Sequence, residues 1–301
     1  MWYDRTKGGV LTETLNLLVE DGENGLSVGD FLRRRGFSSS LIRRVKYGGI
    51  VRDGIPVFTT AALRTGDLLH IVLPEGKSEN IEPIPLPLSL VYEDDDLLVV
   101  KKPIAMPTHP SRGNHLPTLA NAVAAYFAPH PFVFRAITRL DRDTEGLVLI
   151  AKDALCAKRL SEAMARGEIR KKYLAVTSRP PLPPEGEIDA PIARECENSL
   201  RRVVREDGKA ARTLYTTLAT NRAGNALVSL TPLTGRTHQL RVHMAHIGAP
   251  LDADFLYGTP KEGAHYRLAA AYLGFLHPTT KEAMSFSYRP DFVRSEFPEY
   301  E

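Results

Sequence analysis

Three carboxylates, Asp141, Asp143 and Glu145, alternate with Arg139 and Arg142 over a few residues of the chain. Carboxylates in such a loop serve as nucleophile, general base or charge stabiliser when a scaffold holds them in a cleft. The same composition also describes an ordinary solvated loop. The next residues bear on the choice. Leu147 to Ala151 is a continuous apolar run of strand length, the pattern of a strand buried on both faces, and Gly146 separates it from the charged stretch. The loop is therefore anchored to a core strand.

Two other clusters invite metal chemistry. Asp94, Asp95 and Asp96 are adjacent, but neighbours along a strand point to opposite faces and do not converge on one ion, so a turn is expected. His238, His243 and His246 are spaced by five and three, unlike the His-x-x-x-His pair of helical zinc sites. No phosphate-binding glycine loop and no Cys-x-x-Cys pair is present. Neither a metal nor a cofactor is expected.

The wording of the loop is more specific than its charge. Arg139-Leu140-Asp141-Arg142-Asp143-Thr144-Glu145-Gly146-Leu147 resembles the signature of the RluA-type RNA pseudouridine synthases, His-Arg-Leu-Asp, two residues, Thr-Ser-Gly-Leu. Thr138 stands where the family has His, and Glu145 where it has Ser. Lys171-Lys172-Tyr173-Leu174-Ala175 resembles the second motif of the family and Gly235-Arg236-Thr237-His238-Gln239-Leu240-Arg241-Val242-His243 the third. Tyr266-Arg267-Leu268-Ala269 and Phe275-Leu276-His277-Pro278 resemble its closing strands, with Ala269-Ala270-Ala271 where Leu-His-Ala is usual.

The resemblance implies roles. Asp141 would be the catalytic residue, Tyr173 would lie against the target uracil, and Arg241 would pair with the Asp141 carboxylate. A carboxylate in a nucleotide cleft stays ionised when a cation supports it, and a guanidinium does so bidentately. Arg139 and Leu268 are the further substrate-contact candidates. The implied reaction isomerises a uridine within an RNA chain, after the base has left its stack. Asp141 would attack the anomeric carbon or remove a sugar proton; both routes are open, and the base for the proton at carbon 5 would be Tyr173 or a water.

The remaining elements must position these residues. Ser27 to Arg35 and Ser39 to Tyr47 read as short helices, ended by Gly36 and by Gly48-Gly49. Ile50 to Val57 reads as a hairpin with an Asp-Gly turn, and Gly66 to Leu73 as a turn and strand. Between Ser27 and Pro56 seven basic residues face two acidic ones. Such a run is often just a solvated face, but two basic helices and a hairpin also make a phosphate-binding surface. The stretch resembles the S-four-like RNA-binding module, with Arg33, Arg34, Arg43, Arg44 and Lys46 as candidate contacts. Residues 1–24 are an N-terminal extension whose apolar stretch fits strand and helix equally, 25–75 the S-four-like domain, 76–88 a proline-rich linker, and 89–301 the catalytic domain.

Within that last domain, residues 90–103 read as two strands around the acidic turn, and Thr118 as the start of a helix. Asp153 reads as an N-cap for residues 154–166, with Cys156, Leu160, Ala163 and Met164 preferred over Leu155 as the buried stripe. Ile169 to Val176 and Ala226 to Leu233 read as strands, Thr237 to Ile247 as a helix, and Arg194 to Lys209 as an exposed excursion whose Arg201, Arg202 and Arg205 could touch RNA. The expected fold class is α+β: a mixed, mainly antiparallel bent sheet with flanking helices and a central cleft, preceded by a small α/β RNA-binding domain.

The chain has 301 residues, a net charge of only +3 and 43% hydrophobic residues, so it has material for a proper core and global charge does not announce its partner. Cys156 and Cys196 fit a reduced compartment, no apolar run approaches the roughly 20 residues of a membrane span, and the N-terminus lacks a signal-peptide core. A cytoplasmic, monomeric protein is expected, and the family resemblance implies structured RNA (ribosomal or transfer RNA) as its partner. Two competing readings are a glycoside hydrolase using Asp141 with Asp143 or Glu145 and a non-catalytic RNA-binding or ribosome-assembly factor on the same fold.

Overall fold

The computed structural model describes residues 13–37, 39–46, 49–73, 81–110, 117–130 and 132–300. The first strand, β1 (Glu13–Leu18), is followed by α1 (Val28–Arg34), α2 (Ser39–Val45), β2 (Ile50–Arg52), β3 (Ile55–Pro56) and β4 (Leu68–Leu73). These strands form a four-stranded antiparallel sheet in the order β1-β4-β2-β3. In β4 the side chains alternate, so Leu69, Ile71 and Leu73 turn inward onto Phe31, Leu32, Leu41 and Val45 of the two helices. Ser27 caps α1 by accepting from the Asp30 amide, and Asp53 and Gly54 both take positive φ in the hairpin turn, as a two-residue connection requires.

The stretch that fitted strand and helix equally thus resolves as β1, whose pairing with β4 runs from Glu13 to Leu18. The sheet begins inside residues 1–24, not after them. Pairing with an existing strand outweighs an ambiguous local pattern. Ser38, Tyr47 and Gly48, the expected flanks of α2, and most of the expected linker's first half lie outside the described residues.

The second unit contains β5 (Ser89–Glu93), β6 (Leu97–Lys102), α3 (Leu119–Phe127), β7 (Arg135–Ala136), β8 (Glu145–Ala151), α4 (Ala154–Ala165), β9 (Arg170–Thr177), β10 (Glu185–Asp189), β11 (Ile192–Arg194), β12 (Arg202–Val204), β13 (Arg212–Thr220), β14 (Ala226–Pro232), α5 (Gln239–His246), β15 (Leu268–Leu276), β16 (Ala283–Ser287) and α6 (Asp291–Glu296). Its main sheet runs β10-β13-β14-β9-β15-β8-β6-β5, with β16 beside β15 and β7 beside β8. Every pairing is antiparallel except β8 with β15. The expected α+β class with a mixed, mainly antiparallel sheet is what forms.

The sheet is buried on both faces at its centre. Leu98, Val100, Val148 and Ile150 point to one side, with α3, α5 and Tyr173. Leu97, Val99, Leu147 and Leu149 point to the other, with Cys156 and Leu160 of α4. Each fully buried aliphatic side chain contributes about 1.5–3 kcal/mol, so β6 and β8 form the least movable part of the molecule. Gly146 is needed where β8 meets β15: its φ is +117°, and a Cβ there would lie 2.5 Å from the Ala270 carbonyl oxygen.

Asp153 caps α4 through the Leu155 and Cys156 amides. The buried stripe is wider than its periodicity implied. Leu155, set aside in the sequence, is also buried, because the helix has two neighbours: it inserts among the side chains of the N-terminal unit. Among the described residues no helix is long and apolar enough to cross a membrane.

Candidate active site

Leu140 is buried under the sheet face that carries Val148 and Ile150, and its neighbour Asp141 is held by its backbone. Thr108 clamps Leu140 from both sides, its hydroxyl donating to the Leu140 carbonyl at 2.8 Å and accepting from the Leu140 amide at 3.1 Å. The Thr144 amide closes a turn on the Asp141 carbonyl at 3.2 Å. Thr138, at the position of the family's His, accepts from the Leu149 amide at 2.9 Å and ties the loop to β8.

Lys102, at the end of β6, is completely buried. Its ammonium donates to the carbonyls of Pro103, Met106 and Arg142 at 2.8, 2.7 and 3.0 Å. Burial pulls its pKa down to about 8, against the opposing pull of Asp143, Asp141 and Glu145. One cation thus ties the turn that follows β6 to the loop that presents Asp141.

The three carboxylates part company. Asp143 is buried and taken by Arg142, at 3.0 and 2.8 Å, with His265 at 3.5 Å. Glu145 lies on β8 with the parity of Leu147, toward Lys101 and Tyr288 on the opposite sheet face, and burial raises its pKa. Asp141 alone, with 30% of its side chain exposed, meets Arg241, at 3.7 Å. Two carboxylates straddling one bond, as a glycosidase needs, do not occur in this loop.

Arg241 is 3% exposed and makes its short bonds elsewhere, to both oxygens of Asp254 at 2.7 Å. Asp254 also accepts from the amides of Leu256 and Tyr257. Three rings surround the guanidinium: Tyr266 at 4.3 Å, Tyr257 at 5.0 Å and Phe255 at 5.5 Å. Burial works against the charge, but the Asp254 bonds, Tyr266 and the two carboxylates outweigh it and raise the Arg241 pKa. The site therefore keeps a fixed, dry cation beside Asp141.

The rest of the third motif holds α5 in place. The helix starts at Gln239 because His238 takes a left-handed conformation, φ +58°, later than the expected Thr237. His238 meets the Tyr257 hydroxyl at 2.8 Å, and burial lowers its pKa. Gln239 bridges the Thr234 turn to Thr213 of β13. His243 is buried between Thr213 and the Ala190 carbonyl, each at 2.9 Å. These two histidines thus turn to separate partners rather than to one point.

The profile of the RNA pseudouridylate synthase family matches residues 96–246. The chain belongs to this family. The synthase is 35% identical over 268 residues to a Bacillus subtilis protein named uncharacterized RNA pseudouridine synthase YjbO, covering 87% of this chain and 94% of that one. It is 33% identical to ribosomal large subunit pseudouridine synthase D of Zymomonas mobilis, covering 79% of each. Human RNA pseudouridylate synthase domain containing 1 shares the fold at a TM-score of 0.59 and 27% identity, over 74% of this chain and 89% of that one. The reaction of the synthase is isomerisation of uridine in RNA, so atoms are rearranged and none is gained or lost.

The structure brings Asp141, Arg241 and Tyr173 to one region. Tyr173 is 9% exposed, packed with Leu140, Tyr266 and Leu268 beneath the Asp141 loop. Burial, then the Asp141 charge, raises its pKa, so the phenol stays protonated. Leu268 is buried in the same cluster. Arg139 is exposed, and its charge, after burial, lowers the pKa of His109. Arg33, Arg34, Arg43, Arg44 and Lys46 belong to the N-terminal unit. There Arg33 pairs with Asp30 at 2.6 Å and Arg34 donates to the Gly22 carbonyl. Two further bases of that run are engaged by acids, Arg35 by Glu23 and Arg52 by Asp67.

Lys102, Thr108 and Asp254 escaped sequence reasoning. Lys102 had a weak signal, since it continues an apolar strand of the core, and a lysine drawn into such a core needs partners for its charge. Asp254 had almost none: its distance in sequence from Arg241 matches no local pairing rule.

Proposed function

We propose that Asp141 is the catalytic residue and that the substrate is a uridine of structured RNA, ribosomal or transfer RNA. Relatives named for the large ribosomal subunit favour the ribosomal choice. The observation that carries this reading is the pairing of a partly exposed Asp141 with a buried Arg241 that Asp254 already holds. Such an arginine pays no reorganisation when charge develops beside it. Asp141 either bonds to the anomeric carbon or takes a sugar proton as the bond to ring nitrogen 1 breaks. The uracil then turns, and carbon 5 bonds to the anomeric carbon as the bond to Asp141 breaks or as the proton taken returns to the sugar; the proton that leaves carbon 5 is matched by one gained at ring nitrogen 1. A phenol kept protonated is a poor base, which favours water for the carbon 5 proton. Tyr173 serves as an apolar floor and ring surface for the base.

The N-terminal unit is read as an S-four-like RNA grip that acts through phosphates, on a monomeric cytoplasmic enzyme. Asp141→Asn preserves size and removes charge. It is expected to keep RNA affinity within about twofold and to abolish pseudouridine formation, by mapping modified positions in ribosomal and transfer RNA. Turnover above a few per cent of wild type would move the chemistry away from Asp141.

A further inference from the structure

Phe58 is 79% exposed, the most exposed aromatic ring among the described residues of the N-terminal unit. It borders a depression of about 220 Å3 lined also by Lys46, Thr59 and Thr60. The loop carrying it is not loose. The amides of Val28 and Gly29, otherwise unpaired donors in the first turn of α1, bind the carbonyls of Ala61 and Thr59 at 2.9 and 2.7 Å. The Phe58 carbonyl accepts from the Ala61 amide at 3.0 Å, and Arg52 donates to the Ala62 carbonyl at 3.1 Å. A ring presented by so constrained a backbone is exposed by construction.

Its surroundings are cationic. Lys46 shares the depression, and Arg43 and Arg44 occupy the last turn of α2 just before it. Arg33, paired with Asp30, approaches from α1: its guanidinium and the Thr59 carbonyl lie 3.8 and 3.2 Å from the point a Cβ would occupy on Gly29. An apolar partner would gain from the ring but not from these charges. A nucleotide gains from both, since its base has a face to stack and its phosphates are anionic.

We propose that Phe58 and Lys46 form a binding site for one unpaired nucleotide of the RNA, with the base stacked on the Phe58 ring, Thr59 and Thr60 beside its edge and a flanking phosphate at Lys46. The proposal rests on the reading of this unit as an RNA grip and adds a base-contacting site to it, built from residues other than those of the Asp141 loop.

The test uses the full-length protein and two single-stranded probes of equal charge, an octamer of uridines and the same octamer with abasic riboses. The wild type binds the uridine octamer more tightly than the abasic one. Phe58→Ala weakens the uridine octamer about tenfold, leaves the abasic octamer unchanged and so narrows the gap between them. In a Trp2→Phe background, the indole introduced by Phe58→Trp is quenched at saturating uridine octamer. Unchanged affinity in Phe58→Ala, or an unquenched indole, overturns the site and leaves the surface to a protein partner. Arg43→Glu with Arg44→Glu tests the underlying reading separately: the salt dependence of binding by the abasic octamer flattens if the unit grips phosphates, and stays as it was if it does not.

Discussion

Arg241 gives both of its short hydrogen bonds, 2.7 Å each, to Asp254 and only a 3.7 Å contact to Asp141. Asp254 is fully buried while Asp141 keeps an open side. The tight pair is therefore structural, and the long contact is the one left available for chemistry. Removing one partner of a buried pair costs about 3–5 kcal/mol, because the other charge is stranded. Asp254→Ala should destabilise the protein by that amount in urea unfolding. Combined with Arg241→Met, the two losses should be well below additive.

Lys102 sets a pH dependence. Its pKa in the fold is about 8, against an ordinary 10.5. Between those values the unfolded chain binds the proton that the folded one has lost, so this group makes stability rise with pH from about 8 to 10.5. Activity should move the other way, since deprotonation weakens the three carbonyl bonds behind Asp141. The alkaline fall in kcat/KM near pH 8 should be displaced upward in any folded Lys102→Arg variant, whose cation does not titrate there.

Tyr173→Phe discriminates between two uses of the ring. Loss of a general base costs about 10²–10⁴-fold in rate. With the phenol held protonated, removing its oxygen should leave kcat within about tenfold of wild type, whereas Tyr173→Ala should lose far more. Single-turnover rates on an RNA stem-loop measure both.

Gly146→Ala should be among the most damaging changes of a single methyl group. The backbone sits at φ +117° and the new carbon would meet the Ala270 carbonyl oxygen at 2.5 Å and its amide nitrogen at 2.6 Å. Conformational strain alone costs about 1–3 kcal/mol, and the β8–β15 pairing must also open. Loss of soluble protein, or a fall in melting temperature of several degrees, is the expected result.

The sequence made the central strand, the Asp141 loop and the third motif legible because each depends on contiguous residues: an apolar run, a glycine break, a fixed motif spacing. What it hid depends on contacts between distant segments. Asp254 meets Arg241 only after the chain has turned through Gly248 and Pro250. β1 acquires its state from β4 rather than from its own pattern. Leu155 looked out of register because periodicity assumes one buried face, and α4 has two. The basic run was visible, but not that Glu23 and Asp67 draw Arg35 and Arg52 out of it.

That double burial of α4 reaches beyond packing. Leu155 is a member of the N-terminal core, Gly36 lies against Leu155 and Arg159, and Arg159 donates to the Arg35 carbonyl at 3.3 Å, while Cys156 and Leu160 of the same helix line the central sheet. The offset between α1–α2 and the Asp141 loop is then set by interlocked side chains. An RNA held by the N-terminal unit, as proposed above, would meet the Asp141 loop like a strip in a jig, and a uridine too many nucleotides from that grip would stay out of reach, however well its base would fit the cleft.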